Sequence, residues 1–214
     1  MDITIFGGTG ISGLLTIEKA LKKGHKVTVY ARNPSKISLK HNNLYIVEGT
    51  LADNTKIENA IKGADAVISL LGPAGKSKGL VLSNAIKKII QSMEKNGVKR
   101  LIATATPSFR DKEDKFQFGF ALGAFMVKAL LGDTYNDIVE IGKSISKSNL
   151  DWTIVRLPML SNNNKRSKLH IGYVGDGKTK MFSLTRENLS YFLLEQLEDR
   201  KYIRKSPVVC NYDK

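Results

Sequence analysis

Residues 2–6, Asp-Ile-Thr-Ile-Phe, run directly into Gly7-Gly-Thr-Gly-Ile-Ser-Gly13. No other stretch constrains the fold as much. The first five residues suit a buried strand. Residues 11–23 repeat apolar side chains at helical spacing, through Leu14, Leu15, Ile17, Ala20 and Leu21. Between them, Gly7, Gly10 and Gly13 are spaced three apart. One glycine allows a tight turn, one lets backbone approach a phosphate, and one lets helix and strand pack closely. The helix then offers its unpaired N–H groups and positive dipole end to an anion. Strand before and helix after are the context that makes the triplet a dinucleotide cleft.

The rest of the chain keeps the same rhythm. Gly24 closes the first helix as a C-cap. Strands are expected at 26–30, 44–47, 64–71, 99–105 and 152–156, with a short last one at 208–209. Helices are expected at 54–61, 77–96, 134–148 and 186–197, and a turn or helix start at 33–36. Alternating strands and helices predict an α/β fold, a Rossmann-like doubly wound parallel sheet in a single domain over residues 1–214. Segments 107–132 and 158–180 break the rhythm after strand ends. Ligands bind at the carboxyl ends of strands in such sheets, so both read as substrate-site walls.

The second strand ends at Ala31-Arg-Asn-Pro-Ser-Lys36. An NAD site usually places an acid there for the ribose 2′-hydroxyl. No Asp or Glu occurs between Glu18 and Glu48, and Arg32 stands where the acid would be. An arginine suits a 2′-phosphate. NADPH is therefore expected over NADH. Asp53 stands ahead of the third helical segment and is expected to cap it.

These segments, with Glu48-Gly-Thr-Leu-Ala-Asp53, Asp65-Ala-Val-Ile-Ser-Leu-Leu-Gly72 and Leu150-Asp-Trp-Thr-Ile-Val-Arg156, resemble the atypical short-chain dehydrogenase/reductases. The nearest likeness is to the NAD(P)H-binding group that includes biliverdin-IXβ/flavin reductase and the NmrA-like proteins. Thr185-Arg-Glu-Asn-Leu189 and Tyr202-Ile-Arg-Lys-Ser-Pro207 extend it nearly to the C-terminus. The resemblance implies that Thr9, Gly10, Ile11 and Ser12 cradle the pyrophosphate and that Arg32, Asn33 and Lys36 hold the 2′-phosphate. It implies Leu51 at the adenine, Leu71, Gly72 and Pro73 along the ribose and pyrophosphate, and Thr104 to Thr106 beside the nicotinamide. Thr50 departs from the aspartate often found in that motif.

The usual chemistry of such enzymes needs a tyrosine with a lysine four residues on. None of Tyr30, Tyr45, Tyr135, Tyr173, Tyr191, Tyr202 and Tyr212 has one. The flavin-reductase-like group passes hydride directly and does without the pair. Its serine after the fifth strand corresponds to Thr106, the candidate catalytic residue. Its histidine after the sixth strand corresponds to Met159, a departure that weakens the likeness to biliverdin and flavin reduction. His25 and His41 read as surface or turn residues, and His170 lies in the second insertion. No metal-ligand spacing occurs.

Phe116, Phe118, Phe120, Phe125 and Met126 form an aromatic-rich run. It reads either as a helix face packed on the core or as an apolar lid over a flat acceptor. Two functions follow: an NADPH-dependent reductase of a small flat apolar acceptor, flavin- or quinone-like, or a non-catalytic NADP(H) sensor that reports to a protein partner. The formal net charge is +14 over 214 residues, with seven bases against one acid in 76–100 and five against one in 161–180. Neither stretch interleaves aromatics as a single-strand binder does, so nucleic acid is not expected. A membrane is not expected as a partner, and the oligomeric state stays open. The lone Cys210 and the lack of a visible signal peptide fit a cytoplasmic protein.

Overall fold

The computed structural model describes residues 1–73, 75, 79–163, 166–180 and 183–212. In chain order it runs β1 (Asp2–Phe6), α1 (Ile11–Lys22), β2 (Lys26–Ala31), a 3-10 turn (Pro34–Lys36), β3 (Leu44–Glu48), α2 (Asn54–Ile61), β4 (Ala66–Ser69), α3 (Val81–Lys95), β5 (Arg100–Ala105), α4 (Phe118–Leu130), α5 (Gly132–Ser146), β6 (Asp151–Arg156), β7 (Leu160–Ser161), β8 (Leu169–Gly172), β9 (Leu184–Thr185), α6 (Arg186–Glu195) and β10 (Val208–Asn211). The main sheet has the order β3-β2-β1-β4-β5-β6-β10-β8. All neighbours are parallel except β10 and β8. The order reverses between β1 and β4, which sets the ligand crevice at their carboxyl ends.

The strands alternate between two apolar layers, as a sheet covered on both faces must. Ile3 and Ile5 pack with Ile17 and Ala20 of α1 and Phe192 and Leu193 of α6. Phe6, Val67, Leu101 and Ile154 face the other way, onto Ile57 of α2, Ile86 and Ile89 of α3 and Ile141 of α5. The α1 helix ends where Gly24 takes a φ of 79°. The Gly24 N–H then donates to Leu21 O and the His25 N–H to Ala20 O, a Schellman closure. Asp53 caps α2, its carboxylate accepting from the Lys56 N–H at 3.0 Å.

The α3 helix has no cap of its own. A carboxylate from α5 supplies it. Asp137, 1% exposed, accepts from the Leu82 and Ser83 N–H groups, both at 2.8 Å. The expected start of this helix, at Ser77, falls outside the described residues, as do Lys76, Lys78 and Lys165 of the basic runs.

Two expectations change. Segment 158–180 is not a plain loop. It carries β7, which pairs with β9, and β8, which adds an antiparallel edge to β10. Residues 118–130 do form a helix, but not one packed on the core, because α4 has no buried residue. Among the described residues no helix is long and apolar enough to cross a membrane.

Candidate functional site

The carboxyl ends of β1, β2 and β4 open onto a cleft of about 730 Å³. Its floor is the glycine turn. Gly7 has a φ of 79°, and a Cβ there would lie 2.5 Å from the Leu70 carbonyl oxygen. At Gly13 a Cβ would strike the Gly7 carbonyl and lie 2.6 Å from the Gly8 Cα. Both glycines therefore let β1, α1 and the chain after β4 meet. Gly10 differs. Its backbone is extended, with φ −78° and ψ 161°, and a Cβ there would meet only the Gly7 carbonyl oxygen, at 3.6 Å. It is the N-cap of α1 and carries no capping side chain. The first turn of α1 thus opens onto the cleft with its N–H groups uncapped, the arrangement a pyrophosphate requires.

The far end of the cleft is built around Tyr30. Its ring packs on Phe6 with centroids 5.2 Å apart, and its hydroxyl donates to the Thr50 carbonyl at 2.7 Å. A Cβ at Gly49 would strike that hydroxyl, so only glycine fits. Burial pushes the Tyr30 hydroxyl above its ordinary pKa, with Asp53 adding to the rise. The next turn is held from α3, where the Lys88 ammonium donates to the carbonyls of Leu51 at 3.3 Å and Ala52 at 3.0 Å.

Of the residues expected to hold a cofactor, Gly7, Thr9, Gly10, Arg32, Leu51, Leu71, Gly72 and Pro73 line this cleft, and so does Thr50. Ile11, Ser12 and Gly13 form the first turn of α1 behind it. Asn33 holds the turn that follows Arg32. Its side-chain oxygen accepts from the Ser35 N–H at 3.2 Å and the Ser35 hydroxyl at 2.6 Å, capping the 3-10 turn. Lys36 is exposed at the end of that turn. Thr104 is buried within β5, its hydroxyl 3.4 Å from the Ser69 carbonyl oxygen.

Thr106 lines a second cavity, of about 640 Å³, at the ends of β5 and β6. Its walls come from the turn 106–108, from Leu157, Pro158 and Met159, from α5 and from one face of α4, through Gly119, Phe120, Gly123, Ala124 and Val127. No described residue lining it is charged. The Thr106 hydroxyl accepts from the Ser108 N–H at 3.4 Å. Tyr135, passed over in the sequence for want of a lysine at 139, lines the same cavity from the start of α5. His170 does not line it. It is bonded to Asp176 at 2.8 Å, and Asp176 in turn accepts from the hydroxyl of Thr179, which does.

The outer wall is anchored by a buried ion pair. Arg156, at the end of β6 and 0% exposed, donates to both carboxylate oxygens of Asp114 at 2.7 and 2.8 Å. It also donates to the carbonyls of Ser206 at 2.5 Å and Phe109 at 3.1 Å. Asp114 further accepts from the N–H groups of Asp111 and Val174, so one carboxylate ties both insertions to the sheet. Burial pushes this carboxyl up, but Arg156 and the two N–H donors outweigh it and hold the pKa below the ordinary value of 3.8. Among the described residues no group of three His, Cys, Asp or Glu is placed to hold a metal ion.

Comparison with known proteins agrees with this architecture. A family model described as NAD(P)H-binding matches residues 7–200. Phenylcoumaran benzylic ether reductase IRL1 of Ginkgo biloba is 27% identical over 225 residues, spanning 95% of this chain and 67% of that protein. Isoflavone reductase homolog A622 of Nicotiana glauca is 25% identical, spanning 95% of this chain and 66% of that protein. The chain thus spans about two thirds of the length of the curated relatives it matches. Solved structures share the fold, two of them as follows. A short-chain dehydrogenase/reductase of Veillonella parvula in complex with NADP superposes with a TM-score of 0.81 at 21% identity, covering 100% of this chain and 97% of that one. ChuY, an anaerobillin reductase of Escherichia coli O157:H7, gives 0.79 at 17%, covering 100% and 98%.

Proposed function

Since the chain belongs to the NAD(P)H-binding family, we propose that it is an NADPH-dependent reductase of a small, flat, apolar acceptor, flavin- or quinone-like. The observation that carries this reading is the second cavity. It opens beside Thr106, one strand along from the cleft wall at Leu71, Gly72 and Pro73, and it is lined without charge. Such a site takes an uncharged ring system and disfavours an anionic substrate. The reductase names of the relatives support the same class.

The residues present fit a bound dinucleotide. Thr9, Gly10 and the first turn of α1 would hold the pyrophosphate, Arg32 the 2′-phosphate and Leu51 the adenine. When bound, NADPH supplies a hydride from its nicotinamide ring. The protein's own contribution is to orient the acceptor, exclude water and provide a proton donor where charge develops. Thr106 accepts its hydrogen bond from the Ser108 N–H, which leaves its own proton to be donated into the cavity. Tyr135, which also lines the cavity, is the second hydroxyl-bearing candidate. No tyrosine–lysine pair takes part.

Cofactor choice is tested on Arg32→Ala. Removing a charge-assisted contact to the 2′-phosphate weakens NADPH by ~1.5–3 kcal/mol and leaves NADH almost unchanged. Fluorescence titration measures both, and equal losses would overturn the assignment.

The reaction is tested by the loss of NADPH absorbance against a panel of flavins, quinones, azo dyes and small carbonyls. Turnover of about 1–10 per second with one uncharged class is the expected result. In the Thr106→Val, Tyr135→Phe double variant, kcat falls by ~100-fold with NADPH affinity intact. Tight NADPH binding with no turnover on any acceptor would replace the reductase with an NADP(H) sensor.

A further inference from the structure

The inner face of α4 lines the acceptor cavity, and the outer face is left exposed by the described residues. Phe118 is 71% exposed, Phe125 68%, Leu130 72%, and Phe116 just ahead of the helix 80%. At ~150–250 Å² per aromatic ring, the three phenylalanines alone leave about 400 Å² open. Leu122, Met126 and Leu130 bring the exposed apolar area to the top of the ~300–600 Å² that is the largest patch on an ordinary monomer. A helix apolar on all sides needs cover on all sides.

The charges around the patch say what covers it. Residues 116–131 contain no acid. Lys112 and Lys115 precede the helix, Lys128 lies within it, and Lys178 sits on a loop whose Gly175 packs directly on Lys115. None of these four lysines forms an ion pair among the described residues. Of the nearby acids, Asp111 is bonded to Ser206, Asp114 to Arg156 and Asp176 to His170, and Glu113 is exposed between Lys112 and Lys115, which leaves lysines in excess. The surface is an apolar plateau with a basic rim.

We propose that this face docks on an anionic lipid bilayer, with α4 lying in the interface plane and the lysines at the headgroups. A second copy of the chain fits less well. A two-fold interface must be self-complementary, and it would set the basic rim against itself between two chains of net charge +14 each. A bilayer complements both parts, the apolar helix and the basic rim. The contact is peripheral, and it revises the sequence-based expectation that no membrane is involved. It also sets the uncharged cavity beneath α4 against a hydrocarbon reservoir. The docking itself stands on the surface and holds whether or not the reductase reading does.

The test is sedimentation of the full chain with vesicles of phosphatidylcholine, with and without phosphatidylglycerol as one lipid in three, together with analytical ultracentrifugation in their absence. Binding to the anionic vesicles only is expected, weakening with salt. Each of Lys112→Gln, Lys115→Gln and Lys128→Gln should lower it about fivefold. Phe125→Glu, at an exposed site, should lower it ~30-fold or more with an unchanged melting temperature. A lysine series without effect on vesicle binding would overturn the proposal. So would a monomer that ignores anionic vesicles. A dimer dissociated by Phe125→Glu, with no vesicle binding, would overturn it too and assign the face to a second copy.

Discussion

Gly10→Val is expected to weaken NADPH binding by on the order of 100-fold or more while the protein folds and melts almost as before. The glycine expected to face the pyrophosphate is separate from the two that hold the fold. At Gly10 the backbone is already in a conformation valine adopts, and the added carbon meets only one carbonyl oxygen at van der Waals distance. The helix loses little, because Gly10 caps nothing with a side chain; valine for glycine at that position costs about 1 kcal/mol. For a chain of this length that is ~2–4 °C of melting temperature. The branched side chain then occupies the space through which a pyrophosphate must reach the N–H groups of α1. Gly7→Val and Gly13→Val cannot make this separation, since each places a carbon within 3 Å of backbone and loses stability with affinity. Fluorescence titration beside a thermal melt reads both quantities. Wild-type affinity in a folded Gly10→Val protein would remove the pyrophosphate from the first turn of α1.

Arg156→Met should destabilise the chain by about 3–5 kcal/mol, which is ~10 °C or more at this size. The loss is not the worth of the ion pair. It is the consequence of leaving the Asp114 side chain, 1% exposed, with Arg110 at 3.2 Å and two backbone N–H donors in place of a bidentate guanidinium, and the Ser206 and Phe109 carbonyls without that donor. Asp114→Asn in the same chain should recover part of the loss, because it removes the stranded charge. Denaturant melts of the four chains close the cycle, and strict additivity would show that the pair is not coupled.

The same carboxylate leaves a pH signature. Its pKa is held below 3.8 in the folded protein, so the folded state binds fewer protons than the unfolded one. That stabilisation is complete above the ordinary carboxylate value and is lost as pH falls through the folded pKa. Asp176 adds to the same acid limb. Burial pushes it up, but His170 and the N–H groups of Lys178 and Thr179 hold it well below 3.8. Arg156→Met should flatten the Asp114 share of that limb.

Much of the central sheet was legible because its strands are buried on both faces and read as short apolar runs, with Gly24, Gly63 and Gly97 closing the helices before β2, β4 and β5. The edge was not. β8 pairs only with β10, and its half-buried Leu-His-Ile-Gly has no pattern that separates strand from loop. The run at 116–131 was legible as apolar, with a core-packed helix face as one of two readings, but periodicity cannot say which side of an all-apolar helix is covered. Arg32 was visible through what surrounds it, a stretch without acids. Asn33, beside it, spends its acceptor oxygen on Ser35, so only its amide N–H groups could serve a phosphate. Asp137 and Lys88 could not be found locally, because their partners lie 54–55 and 36–37 residues away.

The borrowed cap on α3 also makes the two cavities parts of one lever. Val81 and Leu82, at the capped end, line the dinucleotide cleft. Asp137, which does the capping, sits on the same turn of α5 as Ile138 and half a turn from Tyr135, both walls of the acceptor cavity. Two hydrogen bonds from one aspartate thus join a wall of the cleft to a wall of the second cavity. Asp137→Asn is expected to loosen both walls at once, which hydrogen exchange at the start of α3 and of α5 would read.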